Sequence, residues 1–491
     1  MQKITSRKKL FLYAFSGLGV NLMGIIVGTY LCSALLVGGF DEHVGSHTYL
    51  GKDLVIAAVW SIMVLVAKIL DGVIDIPLSS FTDRLRTRWG RRRPSIVIGF
   101  VPMVVAYVLF LVPLTNSASI WNTIWFGVLL CVFYTFYTLT MLTYYATFSE
   151  VTANEADTLF LSNIKSVCDV IYFSLGFALI PLFINLDVNI RYVALGFLPL
   201  SLTMLIPLFL LKENSTKEEN NAETIKDEKT DENLEQQNTT ADTQNDQEKA
   251  EEVSAEQQEK KPPLKLGAAI ACAFKNKTFL YWMLTAFVMN FGLQLFLGGI
   301  NELFSNIHVN QMFAMAPAFA PVPLTILLYN KITKKYGLGA AYKFVLLMFA
   351  LAMAVICLCG LFRQSLSNLE ATVLAICGSL LASFSIGGFF SVSYTVPTHL
   401  AQLEYQRMGV SVSSMYFAVE GLVEGIAAGL ATGPMLVFLK GNGDTTYIAY
   451  LPIAVAAACL LAFVMSFFFP KTISKMGKAT TPNVETISNK E

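Results

Sequence analysis

Twelve runs of mostly apolar residues divide this chain, and their lengths leave it few ways to fold. A helix that crosses a bilayer needs about 20 such residues. Candidates lie at 10–38, 54–80, 95–113, 121–147, 160–185, 190–211, 278–300, 311–330, 341–362, 371–397, 408–438 and 446–469. The expected fold class is therefore an all-α membrane protein with 12 transmembrane helices in two six-helix halves. Composition agrees, with 54% of 491 residues hydrophobic and 14% charged. A soluble domain of this length does not tolerate that balance. The chain carries no net charge, and nucleic acid is not an expected partner for a protein buried in lipid.

Orientation follows from lysine and arginine placement. The N-terminus, the loops near 81–94, 212–277, 331–343 and 398–407, and the tail after Pro470 hold most of the 35 basic residues. The opposite loops hold only Lys52, Arg191, Arg363 and Lys440. Both termini are expected on the cytoplasmic side. Lys3, Arg7, Lys8 and Lys9 precede an apolar run too long for a signal peptide and without a small-residue cleavage site, so it reads as a retained first span. The eight cysteines (Cys32, Cys131, Cys168, Cys272, Cys357, Cys359, Cys377 and Cys459) suit small core residues and give no disulfide or metal-ligand spacing.

Residues 213–261 contain no aromatic residue and end at Pro262-Pro263. Such an acidic, polar stretch buries too little apolar surface to offset its ordering entropy, so a disordered linker is expected. Residues 264–277 read as a short basic amphipathic piece on the inner membrane surface. The expected organisation is an N-terminal half at 1–212 carrying the cation site, a linker at 213–263, a C-terminal half at 264–470 and a tail at 471–491. A sequence echo supports duplication: Asp83-Arg84-Leu85-Arg86-Thr87-Arg88-Trp89-Gly90 aligns without a gap with Asn330-Lys331-Ile332-Thr333-Lys334-Lys335-Tyr336-Gly337. In that register Asp71 and Asp75 match Ala318 and Val322, which puts the ion chemistry in the first half. Two six-span halves with a site between them are the architecture of rocking carriers.

The second run ends on charge. Lys68, Asp71 and Asp75 are spaced by three and four, within about 60° on one helical face. A charge in a lipid-spanning helix costs about 2.5–3.5 kcal/mol on insertion scales and usually marks an ion or solute path. Lys68 would neutralise one carboxylate, leaving the other for Na⁺ or H⁺, since hard cations prefer oxygen ligands. A structural ion pair is the alternative, though it needs no second acid. Asp83, Arg84 and the run Arg91-Arg92-Arg93-Pro94 suit lipid headgroup contact and a cytoplasmic gate alike. Lys165 and Asp169, four apart, are positioned to neutralise each other. Glu420 and Glu424 share a face beside Gly421, Gly425, Gly429 and Gly433. Glycine at every fourth position permits close helix approach. The two glutamates read as a proton site or a cationic-solute contact, or else as partners of Lys68 or Lys165. His43 and His47 have helix-compatible metal spacing but lack a third ligand and sit in an outer loop; His308 and His399 are isolated. No phosphate loop, nucleophile–base pair or zinc-protease motif is present, which leaves enzymatic catalysis and ATP-driven pumping without support.

Ala67-Lys68-Ile69-Leu70-Asp71-Gly72-Val73-Ile74-Asp75-Ile76-Pro77 and the Arg-Trp-Gly-Arg-Arg-Arg-Pro that follows resemble the glycoside–pentoside–hexuronide:cation symporters, the melibiose-permease-like branch of the major facilitator superfamily. The arginine-rich end also resembles that of sucrose–proton carriers, and Tyr144, Ala146, Glu150, Val151 and Thr152 are similar to the family's fourth-span exit. The resemblance implies that Asp71 and Asp75 are cation-site carboxylates, with Thr138 adding a hydroxyl. It implies Lys165 near the substrate, where the family carries an arginine. The family's first-span acid is Asn21 here and its fourth-span acid Met141. Its aromatic platform becomes Tyr145, its eleventh-span lysine Glu420, and its signature after the tenth span survives poorly as residues 398–405. Paired acids grip sugar hydroxyls through charge-assisted hydrogen bonds, so losing both argues against galactosides but leaves the cation site intact.

Together these readings predict a symporter working by alternating access, coupling Na⁺ or H⁺ to a small organic solute, first a sugar or glycoside. Asn21, Lys68, Tyr145, Lys165, Glu420 and Glu424 are the candidate substrate residues. A non-sugar or amphipathic solute such as a lysolipid is the transporter alternative; a non-transporting receptor or assembly factor is the alternative of another class. The expected partners are solute, coupling cation and lipid bilayer. No cofactor beyond the coupling ion is expected, and the chain is expected to act as a monomer in the plasma membrane.

Overall fold

The computed structural model describes residues 3–4, 6–36, 51–85, 87–152, 155–211, 213, 274–408, 413–441 and 447–478. Twelve helices in it are long and apolar enough to cross a membrane. They are spans 1 (Arg7–Ala34), 2 (Ala57–Asp75), 3 (Arg92–Leu109), 4 (Ile120–Ala146), 5 (Val167–Asn185) and 6 (Ile190–Leu210), then 7 (Lys277–Asn306), 8 (Met312–Tyr336), 9 (Leu338–Leu361), 10 (Asn368–Pro397), 11 (Val419–Lys440) and 12 (Ile448–Ser466). The only β pairing among the described residues is an isolated bridge between Thr87 and Gly90. Helical backbones satisfy their own N–H and C=O groups, the condition lipid imposes.

Local sequence starts several spans. Asn276 caps span 7, its side chain accepting from the backbone N–H of Thr278 and Phe279 at 3.1 Å each. Ser119 caps span 4 through the N–H of Asn122 at 3.1 Å. Both are favoured cap residues, because a short side-chain oxygen reaches donors that the helix cannot satisfy. Between spans 2 and 3, Gly90 turns with φ of +90°, and its aligned counterpart Gly337, between spans 8 and 9, turns with φ of +93°. Glycine takes that left-handed region without a Cβ penalty. The sequence echo thus has a conformational counterpart.

Buried side chains form two cores. One is built from spans 1–6 around Trp60, Tyr107, Phe126 and Phe133. The other is built from spans 7–12 around Trp282, Phe296, Phe349 and Phe389, and Phe177 of span 5 reaches into it. Spans 2 and 11 pack along the glycine stripe. A Cβ on Gly433 would lie 2.5 Å from the Ser61 carbonyl, on Gly425 2.7 Å from the Lys68 carbonyl, and on Gly72 2.6 Å from the Gly421 carbonyl. Only glycine lets these backbones approach so closely, as the every-fourth spacing led us to expect. Spans 1, 5 and 11 each contain a π-helical turn, at Ile26–Leu31, Leu175–Leu179 and Ala431–Met435. Spans 5 and 11 occupy equivalent places in the two halves.

Several boundaries differ from expectation. Helix Ala57–Arg84 carries on through Pro77, so Asp71 and Asp75 lie within it rather than at its end. The helix of span 10 runs on to Met408, past Pro397, where a loop at 398–407 was expected. Span 7 extends to Asn306 and span 8 to Tyr336. In each case the helix continues into polar sequence, which an apolar-run criterion cannot follow. His43, His47, Cys272, most of the linker and of 264–277, and the tail from 479 lie outside the described residues, as do the side chains of Asp83, Arg84 and Glu150.

Candidate functional site

The face shared by Lys68, Asp71 and Asp75 points inward, and each residue is only partly exposed. Asp71 Oδ1 accepts a hydrogen bond from Thr138 Oγ1 of span 4 at 2.7 Å. The Lys68 ammonium stands 3.8 Å from the centroid of the Tyr134 ring, a cation–π contact. It also acts electrostatically on Asp71, one turn along. Asp75 lies at the join between halves, with Oδ2 3.4 Å from where a Cβ on Gly421 would sit. The structure thus brings together the three residues of the expected cation set: Asp71 and Thr138 in direct contact, and Asp75 one turn beyond. An oxygen cluster of this kind suits a small hard cation or a proton.

A second group adjoins the first on spans 1, 4 and 5. Tyr137 donates to Asn21 Oδ1 at 3.0 Å, and its hydroxyl lies within the field of Asp71. Tyr145 reaches the same asparagine, and its ring lies 5.3 Å from Lys165 Nζ. Lys165 is buried and pairs with Asp169 one turn on. Asn21, Tyr145 and Lys165 therefore share one site on the N-terminal half, with Asp71 and Lys68 beside it. Tyr145 is 45% exposed although it belongs to this inward group. It stands next to the last residue of span 4, at the end of the bundle that carries the basic loops, here called the basic end.

Glu420 and Glu424 turn elsewhere. They project roughly a quarter-turn from the glycine stripe, into the C-terminal half. Glu420 Oε1 accepts from Trp282 Nε1 of span 7 at 3.0 Å, while Glu424 lies beside Ser393 of span 10. Neither pairs with Lys68 or Lys165, so that expected alternative is corrected: Lys68 is held by Tyr134 and Lys165 by Asp169. At the basic end, Arg91 and Arg92 are described. The backbone N–H of Arg92 meets both carboxylate oxygens of Glu213 at 3.1 Å, and that of Arg93 meets one at 3.2 Å. A carboxylate at the first turn of span 3 complements the positive end of its dipole.

The far end, opposite the basic loops, is held shut by contacts that sequence reading missed. Lys440 Nζ of span 11 lies 3.0 Å from Glu302 Oε1 of span 7. It also donates to the Ser33 carbonyl of span 1 at 3.1 Å, joining the halves. Lys440 is 2% and Glu302 0% exposed. Nearby, Phe177 of span 5 and Phe319 of span 8 stack with centroids 4.3 Å apart and planes 11° off parallel. Glu302 escaped notice because the seventh run was ended at 300; a lone acid within an extended helix would have been the signal. Tyr134 and Trp282 carry no motif and emerge only from packing.

Two halves of six spans, with an acidic and hydroxyl-bearing site at their join, have the architecture of the major facilitator fold. Residues 12–245 match the family described as MFS/sugar transport protein, in keeping with the resemblance carried by the span 2 motif. No curated protein sequence matches it. Among solved structures, the nucleoside transporter NupG is 13% identical over 95% of this chain and 100% of its own, with a TM-score of 0.60. A D-xylose–proton symporter is 12% identical over 96% and 99%, at 0.61. A bacterial homologue of the human lysosomal transporter Spinster, inward-facing and unoccupied, is 11% identical over 95% and 98%, at 0.56. At these identities the likeness is one of fold.

Proposed function

We propose that this transporter is a symporter that couples Na⁺ or H⁺ to uptake of a small organic solute, first a sugar or glycoside. The observation that carries the reading is the Asp71–Thr138 contact, 2.7 Å long, with Asp75 against the other half at Gly421. Two acids with a single nearby ammonium leave a surplus negative charge at a moving interface. Binding a cation removes that surplus, so the loaded carrier switches more readily than the empty one. A ligand shifts such an equilibrium only by its differential affinity for the two states. Solute then binds on the adjoining Asn21, Tyr137 and Tyr145 surface, whose amide and hydroxyls complement a polyhydroxylated ring. The family match to sugar transport favours that class. Basic-loop placement favours cytoplasmic termini, and the plasma membrane is the proposed location.

The test uses full-length protein in liposomes with an imposed Na⁺ or H⁺ gradient and a panel of labelled sugars and glycosides. Wild type is expected to concentrate one of them under one gradient. Asp71→Asn and Asp75→Asn are expected to abolish accumulation. If either variant still concentrates solute up to the wild-type level, the coupling assignment is wrong.

A further inference from the structure

The cation reading leaves two carboxyl groups unused. Glu420 is 3% exposed, and one turn on, Glu424 has Oε1 buried with no hydrogen-bond partner among the described residues. The two interact electrostatically. Among the described residues, the elements around them supply no cation to either glutamate. Span 7 offers the neutral Trp282, and span 10 the neutral Ser393. Span 9 offers Tyr342, whose fully buried hydroxyl also lacks a partner and lies within the field of Glu424. Span 2 offers Asp75 across Gly421, a like charge, and Asp71; its Lys68 is engaged with Tyr134 and Asp71. Elsewhere on the packed elements, Glu302 of span 7 is taken by Lys440, and His399, Glu404 and Arg407 lie toward the basic end of span 10. Among the described residues no Lys, Arg or His pairs with either glutamate.

Two ionised carboxylates one turn apart, away from water and without a counter-charge, would each lose hydration and repel the other. A neutralising occupant is required, and the donors nearby identify it. The neighbours Trp282 and Ser393 are neutral hydrogen-bonding groups rather than the oxygen-rich shell a hard cation takes, whereas a carboxylic acid accepts the indole N–H bond and donates its own proton to a neighbouring oxygen. We propose that Glu420 and Glu424 form a proton-binding pair of the C-terminal half, separate from the cation site at Asp71 and Asp75. At neutral pH the pair holds at least one proton, shared toward the free Glu424 oxygen, and exchanges it as the halves rock. Only the last clause rests on the symporter reading; the protonation does not.

The experiment is infrared difference spectroscopy on full-length protein in lipid, comparing neutral with alkaline buffer in D2O. Wild type is expected to show the C=O stretch of a protonated carboxyl that vanishes on alkalinisation. Glu420→Gln and Glu424→Gln together should remove it, whereas Asp71→Asn with Asp75→Asn should keep it. Trp282→Phe, which deletes one hydrogen bond without touching a carboxyl, should move the band while keeping its amplitude; this identifies it even if the glutamine variants fold poorly. Absence of the band in wild type, or its persistence at full amplitude in the double glutamine variant, overturns the proposal. Added Na⁺ provides a separate arm. A carboxylate response lost in the aspartate variants alone supports both sites, and no response in any variant refutes Na⁺ at Asp71 and Asp75 while leaving the proton pair standing. A response lost only in the glutamate variants makes the pair a metal-ion site and refutes it.

Discussion

Removing the ammonium of Lys440 should release the far end of the bundle. Lys440→Met leaves Glu302 fully buried without its ammonium partner and removes the bond to the Ser33 carbonyl, cutting a polar tie between spans 1 and 11. Breaking one partner of a buried ion pair costs about 3–5 kcal/mol. That cost falls on the closed state alone, because opening the far end lets water reach Glu302. At the low bound, about 3 kcal/mol corresponds to a roughly 100-fold shift in the ratio of open to closed. A native reporter sits in place: Cys32 borders the same small space as Ser33, Trp60 and Lys440. In a chain keeping Cys32 as its sole cysteine, labelling by a membrane-impermeant maleimide should accelerate by one to two orders of magnitude in Lys440→Met. Glu302→Gln should act in the same direction, and the double variant should fall back toward wild type, since neither charge is then stranded. Unchanged labelling in both single variants would refute the reasoning, as would effects that simply add in the double variant.

Three further outcomes are expected. Gly425→Leu forces a side chain against the Lys68 carbonyl, 2.7 Å from the new Cβ, and overpacking of this kind costs about 1–3 kcal/mol; thermal unfolding should show it, while Gly196→Ala, with nothing within 4 Å, should not lower the melting temperature. Thr138→Val removes the donor to Asp71, a bond to a charged group worth about 1.5–3 kcal/mol, so the cation concentration for half-maximal transport should rise about tenfold or more with solute affinity little altered. Asp169→Asn strips Lys165 of its charge partner, and solute affinity measured by equilibrium binding should change more than in Lys165→Gln with Asp169→Asn, where no charge is left alone.

Much of this was legible in the chain because lipid is a demanding solvent. Each apolar run had to become a helix, and the three-and-four spacing of Lys68, Asp71 and Asp75 had to place them on one face. The glycine stripe announced a close helix contact but not its partner, since nothing in span 11 names span 2. Residues that act through neighbours on other helices were not legible. Tyr134 matters because Lys68 rests on it, and Trp282 because its indole N–H donates a hydrogen bond to Glu420. Boundaries drawn by hydropathy misled where helices outran their apolar stretch, and Glu302 was lost that way. Residues 398–407 hold charge and Pro397 precedes them, yet the helix continues through both.

The seam between spans 2 and 11 bears on how an ion travels. From Ser61 to Gly72 main chain lies directly on main chain, leaving no width for a hydrated particle to slip between the two helices. Asp75 stands just past the end of that closed stretch. In this conformation, then, the gap between these two helices gives an ion at Asp75 no passage toward Ser61, and that way opens only when the seam is prised apart.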